Sequence, residues 1–172
     1  PDGRVVGVDM TPEMVKKARA NAASLGFDNV SFVEGDIEDL PLEDAQFDVV
    51  ISNCVLNLVP DKATAFSEMF RMLKPGAHFC VSDIVVRGAL PEAVRRSAEM
   101  YAGCVGGAIE EDEYLALLEA AGFEDVDVVR RKTIDVPDEA LLKRASEEQV
   151  ATFRDGGAIE SITVRGKRTG SV

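Results

Sequence analysis

The sequence predicts an α/β fold built on a mainly parallel sheet, and three observations carry that prediction. Short β-branched runs alternate with stretches of helical periodicity along the chain. Residues that start and stop helices fall between the two kinds of segment. A length of 172 residues leaves room for one domain and hardly two. Arg4–Val8 (RVVGV) is apolar and β-branched, as a strand buried on both faces requires. Thr11-Pro12-Glu13 reads as a helix start, with a capping hydroxyl, a proline at the first helical position and an acid near the positive helix end. Val15, Ala18, Ala22 and Leu25 then repeat on one helical face until Gly26. Val30–Glu34 and Phe47–Ser52 are the second and third strands. Asp61 caps a helix running to Leu73, whose apolar face is Phe66, Met69, Phe70 and Leu73. Lys74-Pro75-Gly76 is a turn into a fourth strand, Ala77–Ile84. Pro91–Tyr101 and Glu111–Ala121 are further helices, the second ended by Gly122. Val126–Val129 and Ile159–Val164 close the series as strands.

Composition excludes several functions. Acids outnumber bases 31 to 19, for a formal charge of −12. A chain so acidic lacks the basic face that a nucleic-acid backbone or an anionic membrane surface needs. No apolar run reaches the length of a membrane span. Glu34 to Asp48 holds seven acids and no Lys or Arg, which suits either a solvated loop or a ligand carrying positive charge. Three cysteines do not make a disulfide framework, and no signal-like segment opens the chain, so the expected compartment is a reducing cytoplasm.

In open α/β sheets the ligand lies outside the carboxyl ends of the strands. Asp9 and Met10 follow the first strand, Gly35, Asp36 and Ile37 the second, Asn53 and Cys54 the third, and Asp83 ends the fourth. Asp9 can accept hydrogen bonds from a ribose diol or cap the helix that starts near Thr11. Met10 can lie on an adenine face or fill a core. Asp36, beside Ile37, offers an acceptor for an adenine amino group. The pair fits an adenosine site, but a nicotinamide cofactor would also use a strand-end acid. The glycine fingerprint that separates the two would precede Pro1.

Cys80 sits inside a strand and reads as a small buried hydrophobe. Cys54 ends a strand in Ser52-Asn53-Cys54-Val55, and Cys104 lies between glycines in Gly103-Cys104-Val105-Gly106-Gly107. Neither belongs to a CxxC pair, which disfavours structural zinc and leaves structural or functional thiols open. The lone His78 reads as a satisfied structural histidine.

GVDMTPEMVKKAR, FVEGDIEDLP, FDVVISNCVLNL, MLKPGAHFCVSDI, CVGGAI and LLEAAGF together resemble the S-adenosylmethionine-dependent arsenite methyltransferases. The first and fourth segments are common to class I methyltransferases; SNCVLNL and CVGGA are more specific. The resemblance implies a Rossmann-like sheet, mainly parallel with Ile159–Val164 as a late antiparallel strand, and methylation of As(III), bound as arsenite or a thiol conjugate, with a small thiol or thioredoxin-type reductant as partner. It implies that Asp9 binds the ribose hydroxyls, Met10 packs on adenine, Asp36 and Ile37 hold the adenine edge, and the Asn53 backbone holds the methionine ammonium. Cys54 and Cys104 match the family's two arsenic-binding cysteines. Trivalent arsenic is a soft, pyramidal centre, and thiolates are its natural ligands. Held with its lone pair toward a sulfonium methyl, it needs positioning more than acid–base chemistry.

The family's glycine-rich first strand is expected upstream of Pro1, so residues 1–172 are read as one methyltransferase domain incomplete on its N-terminal side. In the family that strand lies between those at Arg4–Val8 and Phe47–Ser52, and without it two half-sheets with unpaired edges are expected. Two alternatives stand beside arsenite methylation. One is a class I methyltransferase for another small molecule; the other is a non-catalytic As(III)-, thiol- or NAD-binding fragment.

Overall fold

The computed structural model describes residues 3–88, 90, 91 and 105–170. They form two compact units, residues 1–43 and 44–172. In the first, β1 (Val5–Asp9) and β2 (Val30–Glu34) pair in parallel with α1 (Pro12–Leu25) between them. Pro12 opens α1, and Gly26, left-handed at φ 71°, closes it by donating its N–H to the carbonyls of Ala22 and Ala23. Val15 and Ala22 are buried, but Leu25, expected on the same face, is exposed. The reason is length: 14 helical residues rise roughly 21 Å, whereas a five-residue strand spans about 17 Å. The last turn of α1 has no sheet to cover.

The second unit carries β3 (Phe47–Asn53), a 3-10 turn (Leu56–Leu58), α2 (Lys62–Met72), β4 (Leu73–Arg87), α3 (Glu111–Ala120), β5 (Phe123–Thr133), α4 (Asp138–Leu142), α5 (Glu147–Arg154) and β6 (Ala158–Arg168). Its four-stranded sheet runs β3-β4-β6-β5. β3 and β4 are parallel, and β6 is antiparallel to both β4 and β5, the late antiparallel strand the sequence predicts. Asp61 caps α2, accepting the Thr64 N–H at 3.0 Å. Phe66, Met69 and Leu73 from its predicted face are buried. β4 alternates buried and exposed residues where one face is covered, then buries Asp83 to Val86 in succession, the pattern of a strand enclosed on both faces. A further apolar cluster joins Ile84, Val86, Val105, Ala108, Leu141, Phe153 and Ile159.

β1 pairs only with β2 and β3 only with β4 among the described residues, so each sheet has the open parallel edge expected of a sheet without its first strand. Ile51 on β3 is 78% exposed. Other expectations need correction. β4 continues to Arg87, so Asp83 is internal to the strand and does not end it. Thr11 occupies the N-cap of α1, but its side chain makes no capping bond. His78 is exposed on β4, not a buried, satisfied histidine, because the alternation of that strand turns it outward; Cys80 is only half-buried. Residues 92–101 of the predicted helix and Cys104 lie outside the described residues. No helix among the described residues is long and apolar enough to cross a membrane.

Candidate functional site

In the first unit the parallel register Asp9↔Glu34 brings the loops after β1 and β2 to one edge. The Gly35 N–H donates to the Asp9 carbonyl at 3.1 Å. Gly35 is required there: a Cβ would stand 2.5 Å from Pro41 Cδ. Asp9 and Asp36 are both exposed. Asp9 Oδ1 accepts the Thr11 N–H at 2.9 Å and Asp36 Oδ1 the Glu38 N–H at 2.9 Å. Each carboxylate is thereby oriented by its own loop, with Oδ2 unpartnered among the described residues. Met10 is 71% exposed and Ile37 half-buried. Two strand-end carboxylates flanked by apolar side chains are hydrogen-bond acceptors whose chemistry fits a ribose diol and an adenine edge. The bond to Thr11 shows that Asp9 orders the entry to α1 through one carboxylate oxygen.

In the second unit, Asn53 ends β3 and is exposed, and Cys54 follows at a sharp bend. Cys54 has φ 57°, the left-handed region that disfavours a side chain, and its N–H donates to the Ser82 carbonyl at 2.8 Å. The 3-10 turn then buries Leu56 and Asn57. Asn57 is 2% exposed, and neither side-chain polar atom has a hydrogen-bond partner among the described residues.

Around this turn sit charged groups that the sequence did not bring together. Asp83, 1% exposed, accepts the Tyr114 hydroxyl at Oδ2, 2.7 Å away, and lies near the Asn57 backbone N–H, while its Oδ1 is buried with no hydrogen-bond partner among the described residues. Burial pushes its carboxyl up to about 6, against the pull of Tyr114, Asn57 and the Lys62 charge. Lys62, buried at the start of α2, donates from Nζ to the carbonyls of Val59 at 3.1 Å and Asn57 at 3.4 Å. Burial lowers the pKa of its ammonium, opposed by the charges of Asp83 and Glu113. Burial, then the Asp83 charge, pushes the Tyr114 hydroxyl up. The signal available in the sequence was Asp83 within the apolar run VSDIVV and Asn57 within LNLV; nothing pointed to Lys62 or Tyr114.

The segment after Cys104 reaches the same turn. Val105 and Ala108 are buried, and the Val86 N–H donates to the Ile109 carbonyl at 2.9 Å. Gly107 lies directly on the turn: a Cβ there would come within 1.7 Å of the Asn57 carbonyl oxygen. Thus the third residue after Cys54 touches the third residue after Cys104.

A methyltransferase-domain family model matches residues 1–122. The chain is 46% identical over 128 residues to an arsenite methyltransferase of Halobacterium salinarum, covering 74% of this chain and 33% of that protein. It is 39% identical over 161 residues to an arsenite methyltransferase of Aquipseudomonas alcaligenes, covering 88% and 46%. The crystal structure of an arsenic(III) S-adenosylmethionine methyltransferase from Chlamydomonas reinhardtii superposes with a TM-score of 0.76 at 35% identity, over 95% of this chain and 55% of that one. The chain thus spans between a third and a half of the length of these two curated relatives.

Proposed function

The chain belongs to the methyltransferase domain family, and on that premise we propose that it is part of an enzyme moving a methyl group from S-adenosylmethionine to thiol-bound As(III). The observation that carries this reading is the contact between Asn57 and Gly107, which joins the cysteine-bearing SNCVLNL segment to the segment that follows Cys104. Three residues of chain, roughly 11 Å at full extension, separate each cysteine from that contact. A soft As(III) centre bridged by Cys54 and Cys104 thiolates is compatible with that spacing.

In this reading Asp9 accepts the ribose hydroxyls at its unpartnered oxygen, Met10 lies against adenine, and Asp36 with Ile37 receives the adenine edge. The Asn53 backbone takes the methionine ammonium. S-adenosylmethionine supplies an electrophilic methyl; the protein holds the arsenic lone pair in line with it. Arsenite or its thiol conjugates are the substrate, a small thiol or thioredoxin-type reductant is the partner, and a reducing cytoplasm suits both. Residues 1–172 are then part of a single methyltransferase domain.

The test is As(III) binding by native mass spectrometry and calorimetry, with methyl transfer assayed in a chain extended upstream to its relatives' length. Cys54→Ser and Cys104→Ser each weaken As(III) binding at least about ten-fold and abolish methylation, because a hydroxyl is a poor ligand for a soft centre. Cys80→Ser leaves both intact. Wild-type methylation by either Cys54→Ser or Cys104→Ser would sink the proposal.

A further inference from the structure

Beneath the Cys54 bend lie buried ionisable groups for which the thiol chemistry has no use. Asp83 comes from β4, Tyr114 from α3 and Lys62 from the start of α2, and they meet around the backbone of Leu56–Leu58. Asp83 lies near the Asn57 backbone, braced by the Tyr114 hydroxyl at 2.7 Å, with its Oδ1 unpartnered among the described residues. Lys62 Nζ closes the other end through the carbonyls of Asn57 and Val59. Gly107 presses on the Asn57 carbonyl. The turn is therefore held by its backbone, since the Asn57 carboxamide is buried without a partner among the described residues. Apolar side chains of similar volume would fill this space with less desolvation cost. What charged groups add is direction.

We propose that Asp83, braced by Tyr114 and Lys62, is the positioning group for Cys54, fixing the turn that aims the thiol. The proposal rests on the functional reading for the identity of the ligand but not for the geometry. Two links join Asp83 to Cys54. The Cys54 N–H is bonded to the carbonyl of Ser82, the residue before Asp83. Cys54 also keeps a left-handed φ of 57°, which persists in a side-chain-bearing residue only where its surroundings dictate it. Once the Asp83 charge no longer holds the Lys62 ammonium over the Asn57 and Val59 carbonyls, the backbone from Cys54 to Asn57 relaxes toward the right-handed region and the sulfur swings away.

The experiment compares the wild-type chain with Asp83→Asn and Tyr114→Phe. It measures As(III) affinity by calorimetry and the iodoacetamide alkylation rate of Cys54 at one fixed pH, with Cys80 as internal reference and circular dichroism as the check on folding. The expected result is an As(III) affinity lowered roughly ten-fold in Asp83→Asn and roughly three-fold in Tyr114→Phe, as loss of bonds to a buried charge predicts. The Cys54 rate shifts at least about three-fold relative to Cys80 in the same variants, while the dichroism stays unchanged. A folded Asp83→Asn with wild-type affinity and a wild-type Cys54-to-Cys80 ratio overturns the proposal. If Asp83→Asn does not fold, the same outcome in Tyr114→Phe overturns it. A wild-type chain that binds no As(III) overturns the functional reading alone, and the Cys54-to-Cys80 ratio then decides the positioning of Cys54 by itself.

Discussion

The two compact units hold their acidic side chains in opposite ways. Asp9 and Asp36 in the first are exposed, and each is oriented by a backbone N–H two residues along its own loop. Asp83 in the second is buried and held by Tyr114, 31 residues away in sequence. The cores differ in the same sense. Residues 1–43 bury Val15, Ala22 and Leu40 under a two-stranded sheet, whereas residues 44–172 enclose a strand on both faces. A two-stranded sheet has little independent stability. Local hydrogen bonding shapes the strand-end loops of the first unit; tertiary packing shapes the thiol-bearing turn of the second.

That contrast breaks most severely at Gly107. A Cβ within 1.7 Å of the Asn57 carbonyl oxygen forces backbone apart from backbone. Gly107→Ala should cost on the order of 3 kcal/mol in urea unfolding, the upper range for overpacking, and should lower As(III) affinity as well. A variant with wild-type stability would show that the two segments separate freely.

The second effect is pH dependence centred on Asp83. Its carboxyl rises from 3.8 to about 6 in the folded chain, with the Lys62 ammonium, the Tyr114 hydroxyl and the Asn57 N–H facing it and Glu113 acting on Lys62. A raised folded value means that its contribution is fully present below about pH 4 and is lost as pH rises through about 6. The loss is up to about 3 kcal/mol at ~1.4 kcal/mol per unit. The difference in unfolding free energy between wild type and Asp83→Asn, measured from pH 4 to pH 8, should trace this fall. A flat difference would mean that Asp83 titrates as an exposed acid.

The smallest effect is expected in the first unit. Asp9→Ala should weaken S-adenosylmethionine binding in the upstream-extended chain roughly ten-fold, through loss of about 1.5 kcal/mol of charged hydrogen bonding. Stability should change by only a few tenths of a kcal/mol, since the Thr11 N–H it leaves is exposed to water. Unchanged affinity, measured by calorimetry, would reduce Asp9 to ordering the start of α1.

Much of the fold was legible because strand and helix signals are local: Pro12, Gly26, Asp61 and Gly122 lie at or next to the helix ends they marked. Asp9 and Asp36 were legible as strand-end acids for the same reason. The Asp83, Lys62 and Tyr114 cluster was not. Its members are 21 to 52 residues apart, and only β4, α2 and α3 packing together makes them neighbours. The burial of Asp83 was hidden by reading the strand as ending at Ile84; three more residues of pairing with β6 put the carboxylate inside.

The left-handed backbone at Cys54 bears on which residues the position tolerates over evolutionary time. A φ of 57° excludes β-branched side chains such as valine, isoleucine and threonine, whatever their chemistry. Glycine, which suits that geometry best, and asparagine, which tolerates it, would both discard the sulfur. Backbone preference therefore pulls drift at this position toward residues without a thiol, and on the proposed reading a cysteine kept there is held by selection on its sulfur.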